Sequence, residues 1–461
     1  MRSPDPAAPQ HAAFRRLLLK EVWGALGGRA LWTMLLILCP LVGYSFFQAV
    51  ALYGEASLAA RDSAALASGL SPLDGVLVPS FGALYLGVTL LFPFVAIRTL
   101  GREKETGTLR LLVQLPYRVP TLIAAKMTAI GVVWLMAMVP ALSTLAIWEM
   151  LGGHLSPPET VNLVFGHLLY GLLVGAIALF AAAVSDGAAT AAIVTLAFTI
   201  GSWVLDFALA GQPGMLGWIA QLSLTQTLRR FEQGLLSFGL MLGICAAIAG
   251  FAALAAVWLH PGVPRQTKLV RSIAGVTLLA AALAIANQMT LSVDLAEDRR
   301  NSFPAADEQA LAALCEPLIV TVRLAAEDPR YIDLRRNVLA KLERTLPHVT
   351  IRLATAGQSV VGSTSDESYG EIEYAYGGRS VKTRSTSHRE ALPLIYQLAG
   401  RSIPTPKPGD DYAGYPLATS GQAALFWFLG ALPMLIALAW WWTRRAPRIP
   451  AVFTEEQGEM S

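Results

Sequence analysis

Long uncharged apolar runs dominate the chain. Eight stretches free of Asp, Glu, Lys and Arg lie within 30–54, 75–97, 127–148, 160–185, 187–205, 233–259, 272–293 and 422–443. A bilayer core about 30 Å thick needs roughly 20 apolar residues in a helix, so each is read as a membrane-crossing helix. The fifth, bounded by Asp186 and Asp206, is the shortest. Ahead of the first run, residues 11–27 place Phe14, Leu18, Val22 and Leu26 on one helical face, with Arg15, Arg16 and Lys20 elsewhere. This predicts an amphipathic helix lying along the interface; the alternative is a plain extension of the first span. The first run is too long, and lacks the small-x-small site, to be a cleaved signal peptide. The apolar, Gly- and Pro-punctuated stretch 206–232 is either re-entrant or part of a further span.

Between the seventh and eighth runs the pattern changes. Residues 318–324 alternate, with Val320, Val322 and Leu324 on one side, which predicts a half-buried strand. Tyr331, Leu334, Val338, Leu342 and Leu346 follow helical spacing; Val349, Ile351 and Leu353 alternate again. Ile372, Tyr374 and Tyr376 lead through Gly377-Gly378 into Val381 and Thr383, a hairpin signal. A helix over 389–399 follows, with Pro393 expected in its first turn. A further strand-helix unit, 291–294 then 305–315, precedes these elements. The expectation is an α-helical polytopic membrane protein of about eight spans with one α/β extracytoplasmic domain, thioredoxin-like in outline.

Composition narrows the class. The 461 residues are 54% hydrophobic and 15% charged, against about 25% charge in soluble domains, which excludes a soluble enzyme and a disordered chain. The net charge of +3 does not point to nucleic acid, because Lys and Arg segregate by membrane side. Five precede the first span, six lie in 98–126, three in 260–271 and three after 443, whereas the short opposite segments hold only Arg61, Arg229 and Arg230. By the positive-inside rule both termini are cytoplasmic and 294–410 is extracytoplasmic.

Candidate chemistry is sparse. Three cysteines, Cys39, Cys245 and Cys315, form no framework and no Cys-x-x-Cys. His348 and His388 lack metal-ligand spacing, and Ser387-His388 with the acids of 366–373 makes no hydrolase motif. Asn162 and His167 in the fourth span are the polar candidates for a cargo path; a bond from His167 to a helix carbonyl is the plainer alternative. The spans carry no mid-membrane charge relay, which argues against proton coupling. The segment 98–126 reads as a charged helix ended by a Thr106-Gly107-Thr108 turn, then a short helix 109–114 stopping before Pro116. Lys126 follows, expected to snorkel at headgroup level.

The order Glu103-x-Glu105-x-Gly107-Thr108-Leu109, then Leu111-Leu112, Pro116 and Lys126, resembles the coupling segment of ABC type-2 permeases of the gliding-motility and copper-enzyme-maturation kind. The resemblance spans roughly 11–260 and includes Phe231-Glu232-Gln233-Gly234. It implies that Glu103, Glu105, Gly107 and Thr108 dock on a separate ABC ATP-binding subunit. It also implies a location in the bacterial cytoplasmic membrane and pairing with a second copy or a second permease. No G-x-x-x-x-G-K-[ST] occurs, so the chain is expected to bind no cofactor itself, with ATP and Mg on the partner. Ser292-Val-Asp294-Leu295, Asn301-Ser302-Phe303 and Leu311-x-x-Leu314-x-Glu316-Pro317 resemble the start of a GldG-like accessory subunit. That implies a fused outer module, over about 270–410, receiving cargo or an envelope protein.

The expected organisation is a leader at 1–29, a six-helix permease at 30–260, and a cytoplasmic loop with the seventh span at 261–293. The outer domain at 294–410, the eighth span at 411–443 and a tail at 444–461 follow. The function expected is an exporter's permease, not an enzyme. The competing reading is a non-transporting membrane scaffold or sensor whose outer domain binds an envelope partner.

Overall fold

A computed structural model describes residues 8–445, apart from 115–117, 209–222, 290, 315, 326–327, 347, 355–367 and 405–411. Among the described residues eight helices are long and apolar enough to cross a membrane: Arg29–Ala59, Leu73–Glu105, Val119–Met150, Pro157–Val184, Ala188–Leu205, Phe238–Leu259, Arg265–Gln288 and Gln422–Arg445. They are called spans one to eight below. The chain is therefore a polytopic helical membrane protein with a small α/β domain between spans seven and eight. The leader is its own helix, Ala8–Leu26, and does not extend span one: the backbone breaks at Gly27-Gly28 before Arg29.

Span four is the pillar of the bundle. It packs on spans two, three, five and six, and 72% of its most apolar window is buried, against 6% for span seven. Lipid tails supply no hydrophobic drive between helices, so close approach at small residues matters. A Cβ on Gly171 of span four would lie 2.1 Å from the Trp134 indole of span three, whose Nε1 donates to Leu168 O at 3.1 Å. Likewise a Cβ on Gly43 of span one would fall 2.2 Å from Phe428, which is how span eight docks. Span eight ends with Arg444 and Arg445 over the Trp440 and Trp441 rings, an arrangement suited to a headgroup boundary.

Within the 206–232 stretch, of which 209–222 lie outside the described residues, the structure has the helix Leu224–Glu232, named the re-entrant helix below after the first of the two expected readings. Its first turn meets the interior of the bundle, with Thr225 bonded to Tyr85 of span two at 3.1 Å and Leu224 N to Ser202 Oγ at 2.8 Å. Its last turn reaches the Pro157 end of span four, where Phe231 O accepts from Asn162 Nδ2 at 2.9 Å. Nine helical residues rise only about 13 Å, too short to span.

The α/β domain between spans seven and eight, named the outer domain after the expected sidedness, contains β3 Leu318–Val322, β4 Val349–Leu353, β5 Ile372–Tyr376 and β6 Arg379–Thr383 in one sheet of order β4-β3-β5-β6. β3 and β4 are parallel and the other neighbours antiparallel, the order expected of strand-helix-strand followed by strand-strand-helix. Gly377 and Gly378, at φ +57° and +77°, make the β5–β6 turn as two-residue hairpins require. Val320, Val322, Leu334, Val338, Leu342, Ile372 and Tyr374 form its core. Two expectations need correcting. Pro393 lies inside the helix His388–Leu398, in its second turn, because Ser387 caps the helix through Arg389 N. The strand at 291–294 does not join this sheet. β2 (Ser292–Asp294) instead pairs with β1 (Leu235–Ser237), which follows the re-entrant helix and supplies an open edge.

The loop after β2 ties the domain to the bundle. Asp294 accepts from Ala296 N, Asn301 N, Asn301 Nδ2 and Ser302 Oγ at 2.7–3.1 Å. Arg300 pairs with Asp74 and donates to Ser71 Oγ. Glu297 N donates to Glu159 Oε2 at 3.1 Å, while the Glu297 carboxylate faces His154 at 2.9 Å.

Replacing Gly171 with Leu forces Trp134 out of its slot, an overpacking cost of about 1–3 kcal/mol, read as a lower unfolding midpoint in detergent. Gly201→Leu, where nothing lies within 4 Å of the added carbon, leaves the midpoint unchanged. Equal midpoints for the two variants would contradict this packing.

Candidate functional site

Span two runs beyond the apolar stretch and stops at Thr106, whose N–H donates to Arg102 O at 3.0 Å. Gly107 then adopts φ +72°, a left-handed conformation in which a side chain is strained. Arg110 N donates to Gly107 O at 3.1 Å, which turns the chain into the short helix Thr108–Gln114. The Thr106 and Thr108 hydroxyls meet at 2.8 Å across the turn. Leu109 and Val113 face inward against Leu17 of the leader and Leu122 and Ala125 of span three. Leu111 is 65% exposed, and Glu105, Gly107 and Thr108 are exposed with it. Pro116 lies outside the described residues.

The four expected docking residues therefore separate. Glu105, Gly107 and Thr108 share the open turn, whereas Glu103 points inward, its side chain 12% exposed. One Glu103 carboxylate oxygen accepts from Lys126 Nζ at 2.6 Å and the other from Lys20. Lys126 is fully buried. It does not snorkel, because its three donors are taken by Glu103, by Glu21 Oε2 at 3.0 Å and by Thr99 O at 2.8 Å. Glu21 in turn accepts from Lys20 at 3.0 Å. Burial alone would lower the Lys20 ammonium, but its bond to Glu103 and the charges of Glu21 and Glu103 outweigh that and hold it above the usual lysine range. Two lysines and two glutamates thus fasten three elements together: the leader, the end of span two and the start of span three.

A second tie lies beside the first. Lys104 Nζ donates to Ala182 O, Ala183 O and Ser185 O at 2.6, 2.8 and 2.9 Å. These carbonyls end span four, where the helix leaves acceptors without intrahelical partners and a partial negative charge. The turn that follows Lys104 is thereby fixed to the pillar of the bundle.

Glu21, Lys20 and Lys104 were not singled out by the sequence. Glu21 was detectable in principle, as an acid on the same helical face as Leu17 and Leu18, where an unpaired charge is costly. The pairing itself joins residues 83 and 105 positions apart and carries no local signature.

Asn162 and His167 lie far from this turn, at 2% and 1% exposure. Asn162 binds the re-entrant helix through Phe231 O. His167 Nδ1 is 3.0 Å from Leu163 O on its own helix, its ring sits edge-on to Phe81, and Nε2 is 3.7 Å from Glu232. Both residues pack the re-entrant helix against span four, and neither is open to a path in this conformation. Among the described residues no group of His, Cys, Asp and Glu is arranged to hold a metal.

Residues 17–211 match the family model described as ABC-2 family transporter protein. The matched region is less than half of the chain and contains the buried charge cluster, the Gly107 turn and spans one to five. The match supports a permease subunit of an ABC transporter, a membrane-embedded transport component. No curated protein and no solved structure matches the chain.

Lys126→Met removes the buried cation and leaves Glu21 and Glu103 to share Lys20 alone. Removing one partner of a buried pair costs about 3–5 kcal/mol, so the unfolding midpoint in detergent drops sharply. Adding Glu21→Gln and Glu103→Gln to that variant restores most of the loss. A triple variant no more stable than Lys126→Met would show that the charges are not what holds the three elements.

Proposed function

We propose that this chain is the permease of an ABC exporter driven by a separate ATP-binding subunit. In this reading the subunit grips the exposed face formed by Glu105, Gly107, Thr108 and Leu111. The observation that carries the proposal is a rigid turn, exposed on one side and tied on the other to spans two, three and four and the leader. A push on such a turn cannot be absorbed locally, because the ties of Glu103, Lys126 and Lys104 pass it to those helices together. Gly107 supports this role by allowing the sharp reversal, and Leu111 by offering an unpaired apolar side chain for a partner's cleft. Glu103 acts behind the surface as a positioning residue.

The Lys and Arg excess at this end makes it the cytoplasmic side, with both termini there, in a bacterial inner membrane. The outer domain, which resembles a GldG-like accessory module, then stands outside and receives cargo or an envelope protein. A second copy or another permease completes the transport path. ATP and Mg belong to the ATPase, since this chain lacks a phosphate-cradling loop.

The test is co-purification of the ATP-binding subunit with Glu105→Lys plus Leu111→Asp. We expect at least about a tenfold loss of association, the equivalent of 1.4 kcal/mol, with the unfolding midpoint of the permease unchanged. Undiminished association of that variant, or solute movement by vesicles holding this polypeptide alone, would refute the reading.

A further inference from the structure

At the end of the bundle opposite the Gly107 turn, positive charge gathers with neutral oxygens as its hydrogen-bond acceptors, Arg335 donating to Tyr331 Oη at 3.5 Å. Arg229 and Arg230 occupy the last turn of the re-entrant helix. The next residue but two, Gln233, accepts through its carbonyl from Asn301 Nδ2 at 2.7 Å, which brings the loop after β2 onto this helix. The same loop is held from the other side by the outer domain: Lys341 Nζ donates to Ser302 O at 3.0 Å, and the Arg344 guanidinium to Asn301 O. Arg335 belongs to the same helical stretch of the outer domain and faces Arg230 closely enough for the two charges to repel. Arg230 also repels Arg344. The seam between re-entrant helix and outer domain therefore collects Arg230, Arg335, Lys341 and Arg344.

Among the described residues, none of these four has a carboxylate within 4.0 Å. The nearby acids are otherwise engaged or more distant. Asp294 is held by four hydrogen bonds within its own loop, Asp298 pairs with Arg300, and Asp294, Glu308 and Glu343 act on Arg344 only from beyond ion-pair distance. Lys341 is 7% exposed, Arg230 half-buried, and Arg335 and Arg344 open. Burial first, and then crowding by Arg344, pushes Lys341 below its usual range against the opposing pull of Asp294, Asp298 and Glu308. Such a cluster is costly on its own and is relieved by a bound anion.

We propose that Arg230, Arg335 and Arg344, backed by Lys341, form a binding site for a phosphate group. The planar forks of three arginines suit a tetrahedral oxyanion, to which each presents two donors. The depth suits it as well. The re-entrant helix starts inside the bundle at Tyr85 and ends at this seam, where the apolar layer gives way to the polar domain and lipid phosphates lie. The phosphate is that of a lipid headgroup or of a free phosphate compound.

The full chain, purified in dodecyl maltoside without phosphate, is titrated with dioctanoyl phosphatidylglycerol, with inorganic phosphate and with dioctanoylglycerol, which lacks phosphate. Binding is read by calorimetry with no ATPase present, so the site is judged apart from the transport reading. We expect phosphatidylglycerol to bind and dioctanoylglycerol not to. Arg230→Gln with Arg335→Gln weakens binding at least about tenfold, the worth of one hydrogen bond to a charged group, and the double Lys variant restores part of it. Preference for the lipid identifies a headgroup site, and equal binding of inorganic phosphate a site for a free phosphate compound; either result supports the proposal. Arg335→Gln alone, on an open side chain, serves if the double variant unfolds. Equal binding of dioctanoylglycerol, or unchanged affinity in Arg335→Gln, would overturn it.

Discussion

A fully buried ammonium sets the terms for one end of this protein. Lys126 has no water to solvate it, so three acceptors from two other elements must come to it. Glu103 and Thr99 arrive on span two and Glu21 on the leader. Moving a lysine-sized ion out of water costs several kcal/mol, which only good geometry and filled donors offset. The leader helix therefore cannot drift along the interface as a free amphipathic helix does. The Gly107 turn, which begins three residues beyond Glu103, inherits its position from the same cluster.

Span four carries that order across the bundle. At one end its terminal carbonyls are capped by Lys104; at the other, Glu159 binds the loop that leads into the outer domain and Asn162 binds the re-entrant helix. Between them its glycines admit Trp134 and Phe231 at distances that a Cβ would forbid. A helix packed this way is stiff, since interlocked interiors shift between discrete arrangements rather than deforming smoothly. The Gly107 turn and the juncture with the outer domain are thus tied to opposite ends of one element. Span seven, which packs against span six, stands outside this linkage and serves to bring the outer domain back to the bundle.

Much of the architecture was legible in residue order. Apolar runs gave the eight spans, because backbone groups in lipid are satisfied within a helix whatever its neighbours. Alternation and the Gly377-Gly378 pair gave the order of strands in the outer domain. Two local expectations failed for tertiary reasons. β2 is a strand as its Ser-Val-Asp pattern suggested, but a three-residue strand takes whichever edge lies nearest, and β1 supplied it. Lys126 was expected to reach for the headgroups, as an isolated lysine at a helix end does, and instead met two carboxylates from distant parts of the chain. The acidic pair in the coupling segment divided on the same principle. Glu103 and Glu105 lie on different sides of one helix, and the side facing Lys126 is taken inward.

The sequence by itself determined how many helices cross the membrane, which loops carry the positive charge, where the turn at Gly107 falls and that a small α/β domain interrupts the last two spans. These depend on hydrophobic period, charge count and glycine's access to positive φ, all local properties. Only the tertiary structure decided which charges are sealed and which are left open, joining Lys126 to Glu21 and leaving Arg230, Arg335 and Arg344 without a carboxylate within ion-pair distance at the opposite end. Burial and pairing depend on what the rest of the chain brings within a few ångströms, and no spacing along the sequence encodes that distance.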